Sequence, residues 1–237
     1  MDLDALFNDD YDYFYAAHLT PEVDARDVDT VWRALQPQPG QHVLDLACGA
    51  GRLAAPLAAR GLCVHGVDAS AGMLARARAR CGDRVALRQL DMRELDARCA
   101  YDHAFNWFTS LTYFDDAVIQ DVLARVARAL RPGGRFAIDL PQRDAVAARF
   151  RPCVAVEREG HLMIDLCRFD TVRGRVDTER VVVRDGVRRA RFFIRLPTPN
   201  EFVEWLLRAG FRDVELGDLD GRALTLQSWH MVAVATR

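Results

Sequence analysis

Three times between residues 42 and 91 an apolar run closes on an aspartate: HVLD at Asp45, VHGVD at Asp68 and LRQLD at Asp91. The first is followed by a turn of small residues, Ala47-Cys48-Gly49-Ala50-Gly51, and then by Arg52. Short apolar runs bounded by turn residues read as buried strands, and the alanine- and arginine-rich stretches 52–60 and 71–81 between them read as helices. Strands and helices alternating at this pace require a mostly parallel sheet covered on both faces, a doubly wound α/β fold. Ligands of such sheets bind beyond the carboxyl ends of the strands, where all three aspartates fall.

The rest of the chain extends the pattern and interrupts it once. Thr20-Pro21 supplies an N-cap and a first-turn proline for a helix that runs to Leu35, before Pro37, Pro39 and Gly40. Strands are expected at 101–107 and 135–140, around an amphipathic helix at 116–130 and a turn at Arg131-Pro132-Gly133-Gly134. Residues 152–196 then read as four longer strands, with turns at Glu159-Gly160, Arg173-Gly174 and Asp185-Gly186. This is an antiparallel β insertion, a cover over a site or a surface for a homodimer. A helix from Thr198-Pro199 to Ala209-Gly210 and strands at 211–216 and 228–235 restore the rhythm and bring the main sheet to seven strands. The expected division is 1–150 for an aromatic lid and cofactor-binding core, 151–196 for the insertion, and 197–237 for the elements that complete the core.

Composition narrows the function. Half of the 237 residues are hydrophobic, enough for one substantial core. Net charge is -2 and no basic stripe is present, so no nucleic-acid partner is expected. All 32 basic residues are arginine, which excludes a lysine Schiff base. The six cysteines include no CxxC pair, so neither a metal site nor a disulfide framework is expected. The acidic, aromatic N-terminus does not resemble a signal peptide and no apolar run reaches spanning length. The expectation is a cytoplasmic protein with no membrane partner and no metal.

Glycines after the first strand suit any nucleotide-derived cofactor, because they let a ligand lie against bare backbone. Asp45 separates the candidates. A carboxylate aimed at the helix N-terminus repels a pyrophosphate there, whereas it attracts the ammonium and sulfonium of S-adenosylmethionine. The run D-L-A-C-G-A-G also departs from G-x-G-x-x-G. Asp68, with Ala69 beside it, offers two acceptor oxygens to a ribose diol. Asp91 can accept from an adenine amine, with Met92 against the ring. The competing reading is that each acid merely caps the helix after it.

On these segments the chain resembles a class I S-adenosylmethionine-dependent methyltransferase of small-molecule type. The resemblance is carried by VLDLACGAGR, GVDAS, LDM, YDHAFNWFTSLTYF and LRPGGRFAIDLP over residues 40–141, and it resumes at TPNEFVEWLLRAGF. It implies a Rossmann-like seven-stranded fold that binds S-adenosyl-L-methionine through Asp45, Ala47, Cys48, Gly49, Gly51, Asp68, Ala69, Asp91, Met92, Asn106, Trp107 and Phe108. Asn106 is implied to lie beside the methionine part, and Arg52 to meet its carboxylate. Trp107, Phe108, Tyr113 and Phe114 are expected to line the acceptor pocket. The alternate tyrosines Tyr11, Tyr13 and Tyr15 would close as a lid, with Tyr11, Tyr15 and Tyr113 the candidates for a catalytic part. His18 and His161 are the remaining candidate bases. Two positions depart from the family pattern. Ala47 stands where many members have glycine, a change expected to cost little because alanine is nearly as small, and Pro141 follows the fifth strand where relatives carry a polar residue.

The expected activity is methyl transfer to nitrogen or oxygen of a small-molecule acceptor in specialised metabolism. The sulfonium carbon is already activated, so alignment and exclusion of water suffice without a catalytic triad. The alternatives are a cofactor-binding partner module without turnover and a nicotinamide-dependent oxidoreductase.

Overall fold

The computed structural model describes residues 6–237. Met1–Ala5, the start of the acidic aromatic segment, lie outside the described residues. A short helix α1 (Asp9–Tyr15) precedes the long helix α2 (Pro21–Leu35). The alternating core follows as β1 (His42–Leu46), α3 (Ala54–Ala59), β2 (Cys63–Asp68), α4 (Ala71–Cys81), β3 (Ala86–Gln89), β4 (Tyr101–Asn106), α5 (Asp116–Ala129) and β5 (Leu130–Pro141). After α6 (Arg143–Ala148) come β6 (Cys153–Arg158), β7 (His161–Asp170), β8 (Arg175–Val183) and β9 (Val187–Arg195). Helix α7 (Pro199–Ala209) and strands β10 (Arg212–Gly217) and β11 (His230–Thr236) complete the chain.

The main sheet has seven strands in the order β10-β11-β5-β4-β1-β2-β3, parallel except at β11. One face buries Val28, Val31 and Leu35 of α2 with Leu57 of α3 and Cys81 of α4. The other buries Ile119, Val122 and Leu123 of α5 with Phe202, Trp205 and Leu206 of α7. The sheet is therefore doubly wound, and each of its fully buried Leu or Phe side chains contributes about 1.5–3 kcal/mol. The strand order reverses between β1 and β4, which opens a crevice at their carboxyl ends.

Local chemistry explains the element ends. Thr20 caps α2 through the Val23 N–H. Thr198 and Glu201 cap α7 reciprocally, and Gly210 closes it in the left-handed region. Helix α3 begins at Ala54, two residues later than the sequence pattern suggests, because residues 49–53 are still turning. The Arg131–Gly134 turn is a wide excursion inside one strand. The β4–β5 register steps from Tyr101↔Leu130 to His103↔Arg135, so the chain bulges between them, with Gly133 at φ 79°.

Strands β6 to β9 form a separate antiparallel sheet in sequence order. Glu159 and Gly160 both have positive φ, as a two-residue type I′ hairpin demands. This sheet is held to the rest by polar anchors. Tyr13 Oη meets the Arg158 carbonyl, Glu159 and His161 Nδ1 at 2.9–3.0 Å. The buried Asp10 accepts from Arg184 and Arg188. At the other end Arg195, only 7% exposed, pairs with Asp116 at 2.7 Å and Glu201 at 3.1 Å. It also donates to the Gly174 and Leu196 carbonyls. The alternate tyrosines lie on a helix, so Tyr11 and Tyr15 share a face and stack at 4.5 Å while Tyr13 points to the insertion. We expect Arg195→Ala to cost about 1–3 kcal/mol, since it removes a buried guanidinium that donates to two carboxylates and two carbonyls. Urea denaturation followed by circular dichroism measures the loss, and a change below a few tenths would show the anchor to be superficial.

Candidate functional site

The cavity at the switch between β1 and β4 is roofed by α1 and by the loop after β4. Its floor is the glycine turn: Ala47, Cys48, Gly49, Ala50 and Arg52 line it, and Asp45 reaches it from the end of β1. Gly51 does not line it. Gly51 lies at φ 72° against α4, where a Cβ would come within 2.7 Å of Cys81 Sγ. Its job is to let the turn pack on that helix. Ala47 sits at φ 61°, a left-handed conformation. The departure from glycine therefore costs conformational energy, about 1 kcal/mol, and small size does not remove that cost.

Charge is distributed unevenly. Asp45 is 3% exposed, and burial together with the nearby Asp68 pushes its carboxyl up to about 8. Among the described residues no arginine or histidine forms an ion pair with it. Arg52 acts on Asp45 only weakly, because its Nη1 is held by Asp24 at 2.9 Å and Asp27 at 2.8 Å, both on α2. That pairing joins residues far apart in the chain, so the sequence offered no sign of it. Arg52 lines the cavity with its charge largely neutralised.

The other two strand-end acids already have protein partners. Asp68 Oδ2 accepts from the Gly49 N–H at 2.8 Å and Oδ1 from the Ser70 N–H at 2.9 Å. It ties the glycine turn to the start of α4. Asp91 caps the 3₁₀ turn Met92–Glu94 and takes Arg93 through both oxygens, which holds it below the ordinary carboxylate range. The capping alternative thus applies to Asp91 in full and to Asp68 in part, while both line the cavity with Ala69 and Met92.

Trp107, Phe108, Tyr113 and Phe114 form the aromatic wall, with Phe7 and Tyr11 opposite. Asn106 is fully buried and does not line the cavity; it bonds to the Leu46 carbonyl and the Leu111 N–H. Tyr15 lies behind Tyr11, where its hydroxyl accepts from Arg180 at 3.1 Å. Burial pushes the Tyr11 and Tyr113 hydroxyls far up, so both stay protonated near neutrality. His18 is exposed beside the Tyr15 ring, and His161 is held by Tyr13, so neither reaches the cavity. Sequence reasoning missed Ser70, Met73 and Arg80, which line the cavity from α4 and its cap; their helical positions carried no distinguishing signal.

Comparison with known proteins agrees with this geometry. Residues 43–134 match a family model described as a methyltransferase domain. A trans-aconitate 2-methyltransferase from Deinococcus radiodurans is 35% identical over 170 residues, 70% of this chain and 61% of that protein. The structure of a methyltransferase from Streptomyces caelestis superposes with TM-score 0.76 at 24% identity, covering 92% of this chain and 96% of that one. A SAM-bound amino pentose methyltransferase from Micromonospora echinaspora superposes with TM-score 0.70 at 23% identity, with 97% of each chain covered. Residues 43–134 thus match a methyltransferase-domain family, and the chain shares its fold with S-adenosylmethionine-dependent methyltransferases. The chain spans less than two thirds of the length of the first curated relatives it matches.

Two substitutions in the turn should move stability in opposite directions. Ala47→Gly relieves a left-handed alanine and should gain up to about 1 kcal/mol. Gly51→Ala adds both strain and a clash and should lose about 2 kcal/mol or more. Thermal unfolding of the two variants beside the parent checks both; equal shifts of one sign would contradict the geometry.

Proposed function

We propose that this chain transfers a methyl group from S-adenosyl-L-methionine to a nitrogen or oxygen of a small-molecule acceptor. The observation that carries the reading is Asp45, a buried carboxyl facing a cavity, with which no arginine or histidine among the described residues forms an ion pair. Such a group favours a ligand that brings positive charge and no phosphate. Asp45 would hold the ammonium of the cofactor, and Asp68, a carboxylate lining the same cavity, would accept from the ribose hydroxyls. Met92 and Leu90 provide apolar surface for adenine, with Asp91 at the edge. When bound, the cofactor supplies a methyl group already activated on a sulfonium.

The aromatic wall serves the acceptor. Phe7, Tyr11, Phe108, Tyr113 and Phe114 exclude water and attract positive charge by their ring faces. Tyr11 and Tyr113 act as neutral hydrogen-bond donors that orient the acceptor, since hydroxyls pushed so far up are poor bases. Tyr15 acts behind them, through its stack on Tyr11. The acceptor accordingly arrives with its own nucleophile ready, as a neutral amine or an ionised oxygen. Relatives described as O-methyltransferases and as a sugar N-methyltransferase support this range of acceptors. No helix of the described residues is long and apolar enough to cross a membrane. We place the enzyme in the cytoplasm, read 151–196 as a cover completed by the core at 1–150 and 197–237, and assign its outer face to a homodimer.

Calorimetry with S-adenosylmethionine and S-adenosylhomocysteine tests the reading, and absence of heat with both would refute it. The affinity should also depend on pH. Asp45 is protonated in the free protein below about 8 and must ionise to meet an ammonium, so binding releases a proton. Affinity should fall as pH drops from 8, by up to about tenfold per unit. Asp45→Asn should weaken binding at least about tenfold and flatten that pH dependence. A variant that binds like the parent would remove Asp45 from the site.

A further inference from the structure

We infer that Asn106 is a positioning residue, which clamps the loop after β4 in a strained backbone so that Phe108 forms the cavity wall. The inference rests on the reading of this cavity as the methyl-transfer site. Phe108 at φ 63° and Thr109 at φ 73° are consecutive non-glycine residues in the left-handed region. L-residues other than Gly, Asn and Asp seldom visit it, and two in a row persist only where the surroundings dictate them. Neither residue is of a type chosen for a turn of this kind, so the strain is imposed by contacts.

The contacts are local and can be named. Asn106 Nδ2 donates to the Leu46 carbonyl at 2.7 Å, and its Oδ1 accepts from the Leu111 N–H at 3.3 Å. The Thr109 carbonyl accepts from the Thr112 N–H and hydroxyl, both at 2.9 Å, and Ser110 Oγ donates to the Trp107 carbonyl at 3.5 Å. Of these bonds, that from Asn106 Nδ2 reaches outside the loop, to the last residue of β1, immediately before the glycine turn. One planar group must donate on one side and accept on the other. An amide does this; a carboxylate cannot donate, and an apolar side chain can do neither.

The loop so fixed presents a hub. The Phe108 ring lies 5.6 Å from the Arg52 guanidinium and 6.2 Å from the Tyr15 ring. It therefore joins the glycine turn to helix α1, and through Tyr15 to Arg180 on the insertion. Trp107, Ser110, Tyr113 and Phe114 line the cavity from the same loop. Asn106 touches no ligand position, yet it sets the conformation of the segment that supplies most of the aromatic wall.

The test uses the ligand-free protein first. Chymotrypsin cleaves beside the aromatic residues of 107–114, and the rate relative to the parent at each pH reports loop opening. Asn106→Asp should raise that rate at pH 8 by about tenfold, the loss of one buried hydrogen bond. The rate should return toward the parent as pH falls to about 5, because a buried carboxyl regains a proton and can donate again. Affinity for S-adenosylhomocysteine, relative to the parent at each pH, should follow the same curve. Thr109→Gly should slow cleavage of the loop several-fold without lowering the thermal midpoint, because it removes strain from the closed conformation. Parent-like cleavage in Asn106→Asp at both pH values, or in Thr109→Gly, would overturn the inference; if Asn106→Asp does not fold, Thr109→Gly decides. A parent protein that fails to bind S-adenosylhomocysteine would instead overturn the proposed function, and the cleavage result would stand apart from it.

Discussion

A buried carboxyl, Asp45, with no ion-pair partner among the described residues organises the site. Asp45 is carried toward the end of β1, which is paired on both sides by β2 and β4, beside the point where strand order reverses. Burying an ionised acid there is unfavourable, and burial with the nearby Asp68 raises its pKa. Arg52 would be the obvious partner, but α2 holds it with two aspartates. The residual electrostatic demand is therefore left to the ligand. A pyrophosphate would worsen it, which separates this cavity from a dinucleotide site on a similar sheet.

Around that carboxyl the supporting interactions run outward in order. Asp68 fixes the glycine turn and Asn106 fixes the loop after β4, from the two strands that flank β1. Helix α1 then closes the space, held on its far side by Tyr13, Asp10 and Tyr15 against β7–β9 and the first hairpin. The antiparallel sheet is thus tied to the cavity by α1 although it contributes no residue to the cavity lining.

Much of this was legible in the residues. The alternation of apolar runs and helical stretches, the strand-end acids and the hairpin turns are local signals, and they gave the sheet, the insertion and the identity of the cavity floor. The parts that were not legible depend on chain segments distant in sequence. Nothing near Arg52 announces Asp24 and Asp27, and nothing at Asn106 says that its amide faces Leu46 and Leu111 rather than the cavity. Ala47 and the 131–134 turn show a second reason. Residue type predicts size and turn tendency well, but φ at a given position is set by how neighbouring elements pack.

The placement of α1 between the cavity and the antiparallel sheet has a consequence for traffic. With Tyr11 on the inner side and Asp10 gripped by two arginines on the outer, the helix cannot swing aside without exchanging those ion contacts for water. Movement of α1 away from the cavity therefore means breaking the arginine–carboxylate contacts of Asp10. Because Asp10 is buried, those contacts are less open to screening by dissolved ions than the ion pairs of the surface.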